Sequence, residues 1–179
     1  MTLFSTLSDH QAQIEAWFQT KTQSPLPLYS SIDIRNAGFK IAPVDTNLFP
    51  AGFNNLNPLS YPLGIEAFKQ CLMQYPIKNR KILLIPESHT RNPFYFENIF
   101  VLTQLIHQAG YDIKIGSLLD LTDTQDIELA SGKKIILEPL IKTNHTLHLK
   151  EFNPDIIILN HDLSEGVPNI LQDILQPII

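Results

Sequence analysis

Two runs of consecutive apolar residues dominate the pattern of this chain. Lys81–Pro86 has the sequence KILLIP, and Pro154 is followed by DIIILN; neither run alternates apolar with polar positions. Strands buried on both faces have this pattern, which is typical of parallel sheets covered on both sides. Between the runs, apolar spacing and breakers predict a helix over 92–108 and a strand over 111–115. Together these elements form a strand–helix–strand crossover unit.

The rest of the pattern adds helices and short strands around this parallel core. Helices are predicted over 8–20, 64–74 and 167–175. Short strands are predicted over 29–34 and 39–42 around a turn at residues 36–38, and over 126–130 and 133–137 around Ser131-Gly132. The predicted fold class is therefore α/β, with a mainly parallel open sheet flanked by helices and a small antiparallel hairpin.

Composition narrows the class of protein without identifying it. The 179 residues are 44% hydrophobic and 17% charged, with a formal net charge of -5. This length can form one domain with a substantial core, and an acidic chain without a basic patch is an unlikely binder of nucleic acid. The single cysteine, Cys71, excludes an internal disulfide and fits a reducing compartment. Since no secretory signal or membrane-length apolar stretch is found, we expect a cytoplasmic protein without a membrane partner.

The segment 31–55 is unusually rich in polar side chains with directional hydrogen bonds. The candidates for ligand binding in it are Arg35, Lys40, Asp45, Asn47 and Asn54. The Arg35 guanidinium suits a carboxylate or phosphate, whereas Lys40 offers a compact charge. Two interpretations are open: the segment lines a binding site, or it is an irregular connection whose Asn and Asp side chains satisfy nearby backbone groups.

Polar loops also follow the two apolar runs, where parallel strands place ligands. The first run is followed by Glu87, His89 and Arg91. The second run ends at Asn160 and is followed by Asp162. Each loop leads into a predicted helix N-terminus, a geometry that suits an anionic ligand. His89 is a general base, a hydrogen-bond donor or a surface residue. No Walker A, GxGxxG or nucleophile-elbow motif occurs, so the residues alone indicate a small polar or anionic ligand.

Three blocks of the chain resemble one family of enzymes. They are SIDIRNAGFKIAPVDTNLFPAGFNNL, IPESHTRNPFYFENI and NPDIIILNHDLSEGVPNIL. In order and spacing they are similar to the N-terminal part of proteobacterial glutamate–cysteine ligases, from about Tyr29 onward. The resemblance implies ATP-dependent joining of the L-glutamate γ-carboxylate to L-cysteine through γ-glutamyl phosphate, with Mg²⁺, as the first step of glutathione synthesis.

The resemblance also implies a division of labour within a longer polypeptide. Residues 1–28 would be a helix and linker, and residues 29–179 an α/β substrate-binding domain that precedes an ATP-grasp-like domain. ATP and Mg²⁺ would bind in that C-terminal domain, which would be the partner of this region, and the region alone would not ligate. The alternatives are a non-catalytic amino-acid or nucleotide-binding module and a scaffold that contacts a partner chain.

Acyl activation requires cations around the transferred phosphoryl group and a fixed carboxylate. From this chemistry we expect glutamate carboxylates or phosphate oxygens to be held by Arg35, Lys40 and Arg91. We expect the glutamate ammonium to be held, or a proton of the cysteine amine to be accepted, by Asp45, Glu87 or Asp162. Polar groups of the substrates would be oriented by Asn47, Asn54 and Asn160.

Overall fold

A computed structural model describes residues 8–21, 27–88 and 94–179 of the chain. Its helices are α1 (Gln11–Lys21), α2 (Tyr61–Leu72) and α3 (Tyr95–Gln108). Its strands are β1 (Ser31–Asn36), β2 (Ile41–Asn47), β3 (Lys81–Pro86), β4 (Asp112–Ser117), β5 (Gln125–Glu128), β6 (Lys134–Pro139), β7 (Ile141–Thr143), β8 (Thr146–His148) and β9 (Ile156–Asn160). Short 3-10 helices are found at Phe53–Asn55, Pro58–Ser60 and Asn169–Leu171.

The central sheet has five strands in the order β5-β6-β4-β3-β9. Strands β6, β4, β3 and β9 run parallel, and β5 pairs with β6 in the antiparallel direction. The predicted α/β class with a mainly parallel sheet is therefore confirmed. The predicted hairpin around Ser131-Gly132 is also present, and Gly132 has a φ of 76° at its turn.

Both faces of β3 are buried, as its continuous apolar sequence predicts. Ile82 and Leu84 point into a core formed with α2 and α3, whereas Leu83 and Ile85 point into a second core on the opposite side. All four side chains are fully buried. Burial of side chains this large contributes about 1.5–3 kcal/mol each, so β3 is the centre of the fold.

The second face of the sheet is covered mainly by the β7–β8 hairpin and the C-terminal segment. Leu147 of β8, Phe152 and Leu171 pack there against β3 and β9. The long helices therefore lie on one face of the sheet only. The helices α2 and α3 lie on the first face, with buried residues such as Leu72 and Ile99.

The prediction of a helix over 167–175 is wrong. The segment contains one 3-10 turn, Asn169–Leu171, flanked by extended backbone at Pro168 (ψ 143°) and Gln172 (ψ 149°). Side chains from the β7–β8 hairpin hold the backbone after this turn: Lys142 Nζ donates to Gln172 O, and His145 Nδ1 donates to Asp173 O at 2.8 Å. Asp173 itself has a φ of 53°, which a right-handed helix does not allow. Tertiary hydrogen bonds thus override the apolar spacing.

Residues 177–179 lie beside β9 and extend its hydrogen bonding. Ile157 N donates to Pro177 O, Leu159 N donates to Ile179 O, and Ile179 N donates to Ile157 O, all at 2.9 Å. The arrangement is a short parallel bridge. Strand β9 is therefore paired on both sides, which holds its carboxyl end in place.

Strands β1 and β2 form a separate antiparallel hairpin around a turn in which Gly38 has a φ of 87°. The turn was predicted, but β2 continues to Asn47, beyond the predicted end at Ala42. In the described part of the chain this pair joins no other strand. Helix α1 is likewise exposed along its length, without buried residues. No described helix has the length and apolarity needed to cross a bilayer.

Candidate functional site

A cleft opens at the carboxyl edge of the central sheet, where β3 and β9 end side by side. Pro86 pairs with Asn160 in the parallel register, so the loops that follow both strands leave the sheet at the same edge, as predicted. The cavity has a volume of about 870 Å³. Its walls are formed by Glu87, Ser88, Leu118, Leu119, His161, Asp162, Ser164, Glu165, Gly166, Val167, Pro168 and Asn169.

The described residues that line the cleft carry negative charge. Glu87, Asp162 and Glu165 line it, and no lysine or arginine of the described residues does. Carboxylates in one concave surface favour a cation such as an ammonium group. His161 adds a polar group, since its buried Nδ1 has no hydrogen-bond partner among the described residues.

The expectation that both loops lead into helix N-termini is wrong for the loop after β9. The loop after β9 does not enter a regular helix, so no helix dipole points from it into the cleft. Asp162 also has a local structural role, because its Oδ1 accepts the Ser164 N–H at 2.9 Å. Its other oxygen lies on an exposed side chain at the cleft wall. The described lining therefore favours a positively charged group over a phosphate.

A buried tyrosine–asparagine network supports the floor of the cleft. The Glu87 N–H donates to Tyr95 Oη at 2.8 Å, and the Tyr95 hydroxyl donates to Asn160 O at 3.2 Å. The Asn160 side chain donates to Tyr95 Oη at 3.2 Å and accepts the Tyr29 hydroxyl at 2.9 Å. The network connects the ends of both strands, so it determines where Glu87 enters the cleft.

Burial changes the acidity of both phenols. It raises the pKa of Tyr95 to about 12, and the hydrogen bonds from Glu87 and Asn160 oppose this rise only in part. Burial also raises the pKa of Tyr29 well above its ordinary value, with a further increase from nearby Tyr95. Both phenols stay protonated at neutral pH and keep their donor hydrogens, which the network requires.

Asn160 lies beneath the cleft as part of this network, and its predicted role toward a substrate stays a prediction. Its side chain is fully buried and bonded to two tyrosines, so it supports the cleft and does not line it. Sequence reasoning missed Tyr29 and Tyr95. The helical pattern of α3 places Tyr95 on a buried face, but its partner Asn160 lies 65 residues away along the chain. No local signal reports such a contact.

Comparisons with known proteins identify the family. The glutamate–cysteine ligase family model matches residues 5–179. The chain belongs to the glutamate–cysteine ligase family. A solved structure described as a "putative gamma-glutamylcysteine synthetase", from Methylobacillus flagellatus KT, is 46% identical with a TM-score of 0.90. The match covers 97% of this chain and 41% of that one, so this ligase-family chain spans about two fifths of the relative's length. No match was found among curated proteins.

Several residues expected to bind substrates in this ligase-family chain lie outside the cleft. Arg35, Lys40, Asp45 and Asn47 are exposed and belong to the β1–β2 hairpin and its turn. Asn47 Oδ1 accepts the Phe49 N–H at 2.7 Å, which is the local backbone role considered as the alternative. The structure thus brings Glu87 and Asp162 together but leaves the hairpin residues apart from the cleft lining. Their substrate contacts stay predictions.

The three remaining predicted residues, Asn54, His89 and Arg91, are not in the described lining of the cleft. Asn54 lies in the 3-10 turn Phe53–Asn55, where its buried Oδ1 has no hydrogen-bond partner among the described residues. The neighbouring Phe53 N–H donates to Asn98 Oδ1 at 2.8 Å, which fixes this turn against α3. His89 and Arg91 lie outside the described residues, so their predicted roles stay predictions.

The described residues do not fit a Mg²⁺–ATP site. No group of three or more His, Cys, Asp or Glu side chains in residues 8–21, 27–88 and 94–179 is arranged to hold a metal ion. The carboxylates of the cleft would repel a triphosphate, which needs cations around its oxygens. We therefore derive no step through ATP from this part of the ligase chain.

Proposed function

We propose that this chain is the substrate-binding part of an ATP-dependent glutamate–cysteine ligase. The reaction joins the γ-carboxylate of L-glutamate to the amine of L-cysteine through γ-glutamyl phosphate, the first step of glutathione synthesis. Family membership over residues 5–179 is the observation that carries this proposal. In this proposal ATP and Mg²⁺ bind in a C-terminal part of the ligase, which agrees with a match that covers only 41% of the relative's chain.

The cleft is the proposed binding site for a substrate amine. Both substrates carry an ammonium group, and the cleft presents the carboxylates of Glu87, Asp162 and Glu165. An ammonium placed among them gains charge-assisted hydrogen bonds, which are stronger than neutral ones. If the bound amine is that of cysteine, the same groups can accept its proton, since the amine must lose a proton to form the amide.

The hairpin is the proposed source of contacts with carboxylates. Arg35 and Lys40 are exposed and make no ion pair with a described residue. The planar Arg35 guanidinium can hold a carboxylate through two parallel hydrogen bonds. Recognition would thus be divided between the carboxylates of the cleft for the amine and Arg35 and Lys40 of the hairpin for the acid. The proposal places this reaction in the cytoplasm.

Ligand-induced thermal stabilisation of residues 1–179 tests the amine site. L-Glutamate and L-cysteine should raise the melting temperature, because a ligand at a hundred times its Kd stabilises a protein by about 2.7 kcal/mol. Glutarate, which is glutamate without its amine, should give little stabilisation. The Glu87→Gln and Asp162→Asn variants should lose most of the glutamate effect.

The control variant is Glu66→Gln on α2, which removes an exposed carboxylate that does not line the cleft. It should respond to glutamate as the unchanged chain does. Equal stabilisation by glutarate and glutamate would refute amine recognition. An undiminished glutamate response in both cleft variants would move the site away from the cleft.

A further inference from the structure

The β1–β2 hairpin has one apolar and one polar face. Ile32 and Ile34 alternate along β1, and the register pairs Ile34 with Pro43 and Asn36 with Ile41. Residues opposite each other in an antiparallel pair point to the same face. Three isoleucines and a proline therefore dominate one face of the hairpin, which they share with Asn36 and Thr46 at its two ends, and all six are exposed.

The opposite face of the hairpin carries charge. Asp33 and Asp45 are direct cross-strand partners, and Arg35 lies two residues further along the same face of β1. Two carboxylates opposite each other repel, and burying them would add a large desolvation cost. This face therefore suits water or a polar ligand, whereas the isoleucine face suits a protein surface.

The exposure of the isoleucine face is unusual for a protein surface. Ile34 is 63% exposed, Ile32 is 52% exposed, and Phe39 in the turn is 92% exposed. A two-stranded hairpin with no covering layer is marginally stable in water. Contiguous apolar patches of this kind mark surfaces that contact another protein segment.

The base of the hairpin continues this apolar surface. Strand β2 leads directly into Leu48 and Phe49, which line an apolar cavity of about 340 Å³ together with Leu28, Ile178 and Ile179 among others. Leu48 and Ile178 remain largely exposed. An occupant of the hairpin face would thus find a second apolar anchor where the hairpin leaves the core.

We propose that the apolar face of the β1–β2 hairpin is the docking surface for the C-terminal part of the ligase polypeptide. This inference rests on the proposed function. The length of the relative indicates the occupant. The match at a TM-score of 0.90 covers only 41% of that relative's chain, so most of a ligase polypeptide lies outside the described region. Docking through the isoleucines leaves the face with Arg35, Asp33 and Asp45 open to substrate.

Hydrogen exchange in a chimera tests this docking. Residues 1–179 replace the matched region of the Methylobacillus flagellatus relative, and amide exchange over residues 31–47 is compared with that in the 179-residue chain alone. We expect exchange about tenfold slower or more in the chimera, because docking suppresses local opening of the hairpin. The Ile34→Asp variant should abolish this protection, and the milder Ile34→Ser variant should reduce it.

The matched control is Ser31→Asp, which adds the same charge to the same strand on the polar face. The Ser31→Asp chimera should keep the slow amide exchange over residues 31–47. In the 179-residue chain all three variants should melt at the unchanged temperature, because both positions are exposed. An Ile34→Asp chimera that fails to fold beside a folded Ser31→Asp chimera also supports the proposal.

Three results would overturn the proposal: equal hairpin exchange in the chimera and in the chain alone, two independent melting transitions in the chimera, or protection in the chain alone that disappears on dilution. The last result would assign the face to a second copy of this chain. None of these readouts needs substrate, so they are separate from the ligase proposal. Docking without γ-glutamylcysteine formation would refute only the proposed activity.

Discussion

Replacing Tyr95 by phenylalanine removes a single oxygen from the network beneath the cleft. That oxygen accepts the Glu87 N–H at 2.8 Å, accepts an Asn160 amide hydrogen at 3.2 Å and donates to Asn160 O at 3.2 Å. The Tyr95 side chain is only 2% exposed, so water does not readily take the place of the lost hydroxyl. The ring stays the same size, so the change leaves hydrophobic packing almost unaltered.

The expected loss of stability follows from the number of bonds broken. A buried hydrogen bond contributes about 0.5–1.5 kcal/mol net, and a partner left unsatisfied costs about 1–3 kcal/mol. The free-energy contributions of three hydrogen bonds that share one atom are not additive, and two of these bonds are long at 3.2 Å. We therefore expect Tyr95→Phe to lower the free energy of unfolding by about 3 kcal/mol, which lowers the melting temperature by about 6–12 °C at this chain length.

Urea unfolding followed by circular dichroism measures this loss. The matched control is Tyr75→Phe, since the Tyr75 hydroxyl makes no hydrogen bond with a described residue and its ring is half-buried; this variant should change stability by less than about 0.5 kcal/mol. A Tyr95→Phe variant as stable as the control would refute the reasoning. It would show that the loops beyond β3 and β9 hold their positions without the phenol.

Three further predictions concern pH, packing and activity. The free energy of unfolding should fall as pH rises from 10 to about 12, because the unfolded chain loses phenolic protons that the folded chain retains on Tyr95 and Tyr29. Each phenol contributes up to about 1.4 kcal/mol per pH unit. Tyr95→Phe should remove its own share of this slope in urea titrations at each pH and leave that of Tyr29. Gly116→Ala should lower the free energy of unfolding, measured in urea, by about 1–3 kcal/mol, because a Cβ there collides with Leu140 and comes within 3.0 Å of Leu83. Its control is Gly64→Ala in α2, which should not lower the free energy of unfolding, because the added Cβ meets only an ordinary contact. Residues 1–179 mixed with glutamate, cysteine, ATP and Mg²⁺ should release no phosphate and form no dipeptide; turnover like that of an intact ligase would contradict the proposed division of labour.

The parts of the fold predicted from sequence are those with a strong local pattern. The KILLIP strand matches Lys81–Pro86 residue for residue, because an unbroken apolar run has few other ways to be buried. Its pairing with β9 follows from the shared pattern and the parallel crossover rule. The common edge of the two loops, and with it the place of Glu87, could therefore be predicted.

The errors lie where distant residues decide the outcome. The segment 167–175 has apolar spacing typical of a helix, but Lys142 and His145 bond the carbonyls of Gln172 and Asp173 in a non-helical form. Asn160 stands at the end of a strand, where ligand-binding residues are common, but two tyrosines bond its side chain beneath the cleft. Neither interaction leaves a periodic signal, since each joins residues distant in the chain.

The adjacent position of β3 and β9 has a consequence for how the chain folds. Strand β3 ends at Pro86 and β9 begins at Ile156, so the pairing must wait until the intervening segment has been made and ordered. Non-local parallel pairing is slow. Until β9 arrives, the most apolar strand presents an open edge, which is a template for association with other chains. A ribosome-bound chain halted before Ile156 should therefore be the form that most needs a chaperone, and the cleft should be among the last features to form.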